Sequence, residues 1–217
     1  MFRSRALTSS RDVATPPVRV VVLASGAGTL LQSLIEASRA EGYPAEIVAV
    51  GVDRDCEAIR HAEAAGIGHF RVSLRDHADR SAWDVALTDA VAAYDPALVV
   101  SAGFMKILGP AFLGRFGGRI INTHPALLPA FPGAHAVPDA LAYGVKLSGS
   151  TVHLVDAGVD TGPILAQEPV PVLDGDDEAT LHERIKTVER RLLADVIAAV
   201  ATRGVVSDGR KAVIPSE

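Results

Sequence analysis

Apolar residues in this chain come in short runs that repeatedly give way to amphipathic stretches. "VRVVVLA" (18–24) is a valine-rich run, followed by "SGAGT" and then by "LLQSLIEASRA", whose apolar positions fall at helical spacing. The order is strand, glycine loop, helix. "AEIVAVGVD" (45–53) repeats the buried-strand pattern, "CEAIRHAEAAG" predicts a helix stopped by Gly66, and "GHFRVSL" predicts a third strand. Between 79 and 94, Trp83, Ala86, Leu87, Ala90, Val91 and Tyr94 line one face of an amphipathic helix. "PALVVSAGF" (96–104) and "GRIINTH" (118–124) predict a fourth and a fifth strand.

Near-continuous apolar strands alternating with helices require cover on both faces, which predicts an α/β fold with a mostly parallel, Rossmann-like sheet. The pattern changes near residue 148. "SGSTVHLVD" alternates as an exposed-edge strand does, and "GPILAQEPVPV" follows as its antiparallel companion, with prolines typical of edges. A long helix over about 177–203 comes last. With no repeats, low-complexity tracts or linkers, a single domain over 18–204 is expected, preceded by a loose leader (1–17) and followed by a tail (205–217).

Composition narrows the classes. At 217 residues and 48% hydrophobic content, the chain can bury a full core without disulfide or metal staples. The lone Cys56 cannot form an intrachain disulfide, which fits a reducing, cytoplasmic setting. No run approaches the ~18–20 apolar residues of a membrane span. A formal charge of −5 argues against a broad nucleic-acid surface and favours small-molecule partners.

Two places carry candidate chemistry. Ser25-Gly26-Ala27-Gly28-Thr29 joins a strand to a helix, where free backbone N–H groups and the positive helix end attract phosphate. A dinucleotide site is a rival reading, with Asp53 placed as a ribose-binding acid, but Leu31 stands where the third glycine of G-x-G-x-x-G belongs. A tight strand-to-helix turn without ligand is the other alternative. At the end of the fifth strand, Asn122 and His124 point to the same side, because residues i and i+2 do so on any strand. Pro125, Pro129 and Pro132 stiffen the loop behind them, and Gly133 permits a turn. A side-chain amide that donates and an imidazole that exchanges protons suit a carbonyl whose oxygen becomes negative, although both groups also serve commonly as partners of loop backbone. No G-x-S-x-G elbow and no H-x-x-x-H or H-E-x-x-H spacing is present, and His153 is expected to be structural. Asp160, between Gly158 and Gly162, would orient an imidazole if it met one; a turn-forming role is equally open.

"LASGAGTLLQSLIEA", "SAGFMKILGPAF", "INTHPALLPAFPGAHA" and "STVHLVDAGVDTGPILAQEPVPV", in that order over about 18–200, resemble the glycinamide ribonucleotide formyltransferases of purine synthesis. The resemblance implies the formyltransferase fold, with antiparallel strands and a long helix after the Rossmann-like half. It also implies formyl transfer from 10-formyltetrahydrofolate to the glycinamide amine. Catalysis is then assigned to Asn122, His124 and Asp160, and glycinamide ribonucleotide binding to Gly28, Thr29, Leu30, Lys186 and Glu189. The folate is assigned to Arg80, Met105, Lys106, Ile107 and Leu108, to Asn122, and to the loop of Asp156, Ala157, Gly158, Val159 and Asp160, with Arg80 meeting the glutamate tail. No metal, nucleic acid or membrane is implied, and the assembly is expected to be a monomer or homodimer. Many members carry Asn where this chain has Leu30, so a backbone contact would replace a polar one there. Methionyl-tRNA formyltransferases and formyltetrahydrofolate deformylases share this core but add domains, which the acidic charge and short flanks are expected to disfavour.

Overall fold

The unbroken apolar character of strand β1 (Val18–Ala24) follows from its central place between two cores. Val20, Val22 and Ala24 face one core while Val21 and Leu23 face the other, as the twofold period of a strand demands. In the computed structural model, which describes residues 16–216, the chain continues through α1 (Thr29–Ser38), β2 (Ala45–Val52), α2 (Glu57–Ala65), β3 (Gly68–Arg71), α3 (Arg80–Ala92) and β4 (Leu98–Ser101). It then runs through α4 (Pro110–Phe116), β5 (Ile120–His124), α5 (Ala136–Tyr143), β6 (Leu147–Leu154), β7 (Ile164–Pro171) and α6 (Glu178–Arg203), and ends in the short pair β8 (Val206–Ser207) and β9 (Ala212–Val213). Residues 1–15 of the expected leader lie outside the described residues.

The main sheet has the order β3-β2-β1-β4-β5-β6-β7. Strands β1 to β5 pair in parallel, and β6 and β7 continue the sheet antiparallel. On one face α1 and α6 pack Leu31, Leu34, Leu193 and Ile197 onto the sheet; on the other α3 and α4 pack Trp83, Leu87, Phe112 and Phe116. The chain steps outward from β1 to β2 and β3, then returns to β4 on the other side of β1. That reversal opens a crevice beyond the carboxyl ends of β1 and β4, the usual ligand position in such sheets.

Strand β6 corrects the edge expected for "SGSTVHLVD". It lies inside the sheet, paired with both β5 and β7, and every residue from Ser148 to Leu154 is buried. Its polar positions mark internal anchors: the Thr151 hydroxyl donates to the Ala126 carbonyl at 2.6 Å and accepts the Leu128 N–H at 3.0 Å. The edge is β7, where Pro169 and Pro171 fall. Helices α4 and α5 were not legible as periodic runs, being only seven and eight residues long. Helix α6 starts at a capping box, in which the Asp177 carboxylate accepts the Thr180 N–H at 2.8 Å and the Thr180 hydroxyl accepts the Asp177 N–H at 2.9 Å.

Candidate active site

Parallel pairing with β4 and antiparallel pairing with β6 fix the end of β5, and the β6 register sets His153 opposite Asn122. The two side chains therefore share a face. Asn122 Nδ2 lies 3.2 Å from His153 Nε2, and His153 Nδ1 lies 2.9 Å from the Leu154 carbonyl oxygen. A carbonyl only accepts, so Nδ1 carries a proton, while Nε2 meets the amide of Asn122 and, at 3.7 Å, Asp160 Oδ1. That contact fixes which way the amide points and leaves its second N–H for a ligand oxygen. His153, 2% exposed, thus faces Asn122 in a register against β5 that was invisible in the linear sequence.

His124 is 4% exposed at the strand's end. The proline-stiffened loop doubles back on it, through Phe131 at φ 52° and Gly133 at φ 92°. The Phe131 carbonyl thereby comes within 2.7 Å of His124 Nε2. Across the ring, Nδ1 is 3.3 Å from Asp160 Oδ2, an oxygen that also accepts the Gly133 N–H at 2.8 Å. Both ring nitrogens face acceptors, so the ring satisfies both only with a proton on each. The loop is anchored from behind by Thr151 and by Gln167 Nε2, which donates to the Leu128 carbonyl at 2.8 Å.

Asp160 reaches His124 because its own loop is tightly folded. Asp156 Oδ1 accepts the Gly158 N–H at 3.0 Å and the Thr161 hydroxyl at 2.7 Å. Asp160 itself sits at φ 54°, a left-handed conformation that Asp tolerates better than most residues. His153 beside Oδ1 (3.7 Å), the Gly133 N–H and the His124 ring together outweigh burial and hold the Asp160 carboxyl below the usual carboxylate range. The structure therefore brings Asn122, His124 and Asp160 together.

The glycine loop opens α1 with Gly28 at φ 68°, no capping side chain and no acid in the first turn. Its first-turn N–H groups are thus disposed to receive an anion. Gly28 is required for packing as well: a Cβ would stand 2.9 Å from Ala58 Cα and 2.9 Å from His61 Cδ2. The Leu30 side chain is buried in the core, leaving its backbone as the part that meets the loop. Asp53 is not a free ribose acceptor, since its carboxylate pairs with Arg54 at 2.9 Å and Lys106 at 3.2 Å. The dinucleotide alternative loses its second support.

The formyl transferase family matches residues 18–197 of the chain. The chain belongs to that family. It is 67% identical over 196 residues to the phosphoribosylglycinamide formyltransferase of Mycobacterium tuberculosis strain H37Rv, covering 90% of this chain and 91% of that one. Among solved structures, glycinamide ribonucleotide transformylase 1 of Symbiobacterium toebii is similar with a TM-score of 0.88 and 40% identity, over 90% of this chain and 93% of that one. The phosphoribosylglycinamide formyltransferase of Brucella melitensis is similar with a TM-score of 0.82 and 43% identity, over 88% of this chain and 99% of that one.

In this formyl transferase several of the remaining sequence-assigned positions hold protein partners outside the trio. Thr123 points to the opposite face of β5 and donates to Glu189 Oε1 at 2.7 Å. Burial pushes the Glu189 carboxyl up, against the pull of Thr123 and the nearby cations Lys186 and Arg190. Lys186 pairs with Glu183 at 2.7 Å, so Lys186 and Glu189 hold separate partners despite their helical spacing. Arg80 donates to the Ile107 carbonyl at 2.5 Å and lies 5.5 Å from the Trp83 ring centroid; its contact in the structure is with the 103–109 loop. In that loop Leu108 is buried, while Met105 and Ile107 are 67% and 59% exposed.

Gly162→Ala tests the Asp160 loop without removing a polar side chain. A Cβ at 162 would lie 1.8 Å from the Leu154 carbonyl oxygen, so the loop must shift and carry Asp160 with it. A displacement of about 1 Å is expected to lower kcat by roughly 10²-fold, read in steady-state kinetics beside a circular-dichroism check of folding.

Proposed function

We propose that this formyl transferase moves the formyl group of 10-formyltetrahydrofolate to the amine of 5-phosphoribosylglycinamide, giving formylglycinamide ribonucleotide and tetrahydrofolate for purine synthesis. The observation that carries this reading is the convergence of Asn122, His124 and Asp160 at the end of β5, in a chain 67% identical to a phosphoribosylglycinamide formyltransferase. Asn122 donates its second amide N–H to the formyl oxygen, where negative charge develops when the neutral amine attacks the formyl carbon. His124 lends positive charge beside that oxygen and passes a proton to the departing folate nitrogen as its bond to the formyl carbon breaks. For that transfer, Nε2 exchanges the Phe131 carbonyl for the folate nitrogen. Asp160 keeps the imidazole oriented and takes the proton that the attacking amine loses, so the proton count closes over one turnover.

Substrate binding follows the topology. Gly28, Thr29 and the backbone of Leu30 receive the ribonucleotide phosphate, with Lys186 and Glu189 of α6 as further contacts. The exposed Met105 and Ile107, with Lys106, Leu108 and Arg80, line the folate side, and Asp156 to Asp160 close over it. The Asn122 amide bridges the two. Holding both reactants in one geometry contributes roughly 7–11 kcal/mol to lowering the barrier. A cytoplasmic setting suits the lone Cys56, and among the described residues no helix is long and apolar enough to cross a membrane.

The test is one assay: purified protein, glycinamide ribonucleotide and a 10-formyl folate, with loss of the folate's formyl group followed spectroscopically. Turnover that requires both substrates is the expected result. Folate deformylation at an equal rate without the ribonucleotide would assign the site to hydrolysis instead.

A further inference from the structure

Asp53 follows β2 with a side chain only 2% exposed, and no step of the proposed transfer uses it. Its carboxylate takes Arg54 Nη2 at 2.9 Å and Lys106 Nζ at 3.2 Å, and the Ser25 hydroxyl stands beside it. Ser25 in turn accepts the Met105 N–H at 2.8 Å. One buried carboxylate therefore holds the 103–109 loop through the side chain of Lys106, next to the serine that takes the backbone N–H of Met105. Ser25 is the residue that leads from β1 into the glycine loop, so the same network joins the two loops across the sheet's reversal point. Burial pushes the Asp53 carboxyl up, but its hydrogen bonds from Arg54, Ser25 and Lys106 prevail and hold it below the usual range.

The far end of the loop is fixed as firmly. The Arg80 guanidinium takes the Ile107 carbonyl, and Asp84, 3% exposed, accepts the Gly109 N–H at 2.9 Å and the Ala111 N–H at 2.7 Å. A Cβ on Gly109 would fall 2.4 Å from the Asp84 carboxylate, which is why a glycine stands there. This loop nonetheless presents Met105 and Ile107 to solvent. Rigid support beneath exposed apolar side chains suits a contact surface. A buried carboxylate held by partly exposed cations is a poor source of net stability compared with apolar packing, so its use here points to placement.

We propose that Asp53 is a positioning residue for formyl transfer, fixing the 103–109 loop against the glycine loop and thereby setting the separation of the two substrates. The inference rests on the reading above that each loop takes one of the two reactants. Loosening the brace leaves each reactant on its own loop but spoils their mutual approach. Its mark is a fall in kcat with little change in either KM, because misplacement of about 1 Å can cost roughly 10²-fold in rate.

The experiment compares Asp53→Asn, which keeps the shape and a hydrogen-bond acceptor but loses the charge that holds Lys106, with Asp53→Ala, which loses both. Expected are kcat losses of about tenfold and about 10²-fold respectively, with each KM within about threefold of wild type. Ser25→Ala combined with Asp53→Ala should lose less than the product of the single effects, since the two residues act through one path. Leu181→Ala, in the cluster between α5 and α6, serves as a variant that lowers Tm without altering kcat. If Asp53→Asn and Asp53→Ala keep kcat within twofold of wild type, or raise a KM alone, or lose no more kcat than Leu181→Ala, the brace is only structural and the proposal fails. A wild-type chain that transfers no formyl group would instead sink the underlying reading, so the two failures are distinguishable.

Discussion

Replacing His124 with alanine is expected to slow formyl transfer by about 10²- to 10³-fold at saturating substrates, the scale set by removing a donor to a developing oxyanion. The ring is 4% exposed, bonded to Phe131 on one side and adjoining Asp160 on the other, so no water or neighbouring side chain substitutes for it in that geometry. The fold should survive. The loop that carries Phe131 is held independently by Thr151 and Gln167, and the Gly133 N–H keeps its bond to Asp160. Leaving one part-buried carbonyl without its partner costs at most about 1–3 kcal/mol, within the roughly 5–15 kcal/mol of a typical domain. KM should change little, because the imidazole acts on charge that appears only as the bond forms. Asn122→Ala is expected to fall on the same scale, and the double variant to be far less than multiplicative, since the two groups act on one intermediate. Steady-state kcat on folded protein decides the matter. Near-normal turnover of His124→Ala would remove the imidazole from the mechanism.

How much of this was legible beforehand depended on whether a contact is local along the chain. The run at 18–24 announced a central strand because its residues must serve two cores in alternation, and they do. Asn122 and His124 could be paired from spacing alone, since a strand fixes where i and i+2 point. Asp160 could not be joined to them by any local rule: its approach depends on the loop between β6 and β7, whose path relies on the close packing of Gly162 against Leu154. The contact of His153 with Asn122 was hidden for the same reason, as only the β5–β6 register brings the two face to face. Strand β6 was taken for an edge because its serines and threonines mimic solvent-facing positions, when Thr151 anchors the loop after β5 from inside. Asp53 was weighed as a ribose acid from its place after β2, and only three dimensions show it occupied by Lys106 and Arg54.

Asp160→Asn separates the charge of the third residue from its shape. Asparagine tolerates the φ of 54° at this position, whereas alanine there would add left-handed strain of roughly 1–2 kcal/mol, so the amide is the cleaner replacement. Its oxygen can still accept the Gly133 N–H that now meets Oδ2 at 2.8 Å. Its nitrogen then takes the place of Oδ1, beside His153 Nε2, while the neutral oxygen stays against His124 Nδ1. The variant thus removes the carboxylate that receives the amine's proton and the negative charge beside the ring, and kcat is expected to fall by about 10²- to 10⁴-fold. Linkage gives an independent readout. The wild-type carboxyl is held below its usual range, so its contribution to stability is fully present above the unfolded value of about 3.9 and is lost as pH falls through the lower folded value. Thermal unfolding followed from neutral pH into acid should therefore show a steeper loss of Tm below pH about 4 in the wild type than in Asp160→Asn. Parallel acid profiles, together with kcat within tenfold of wild type, would mean that the carboxylate shapes its loop and takes no part in handling the proton.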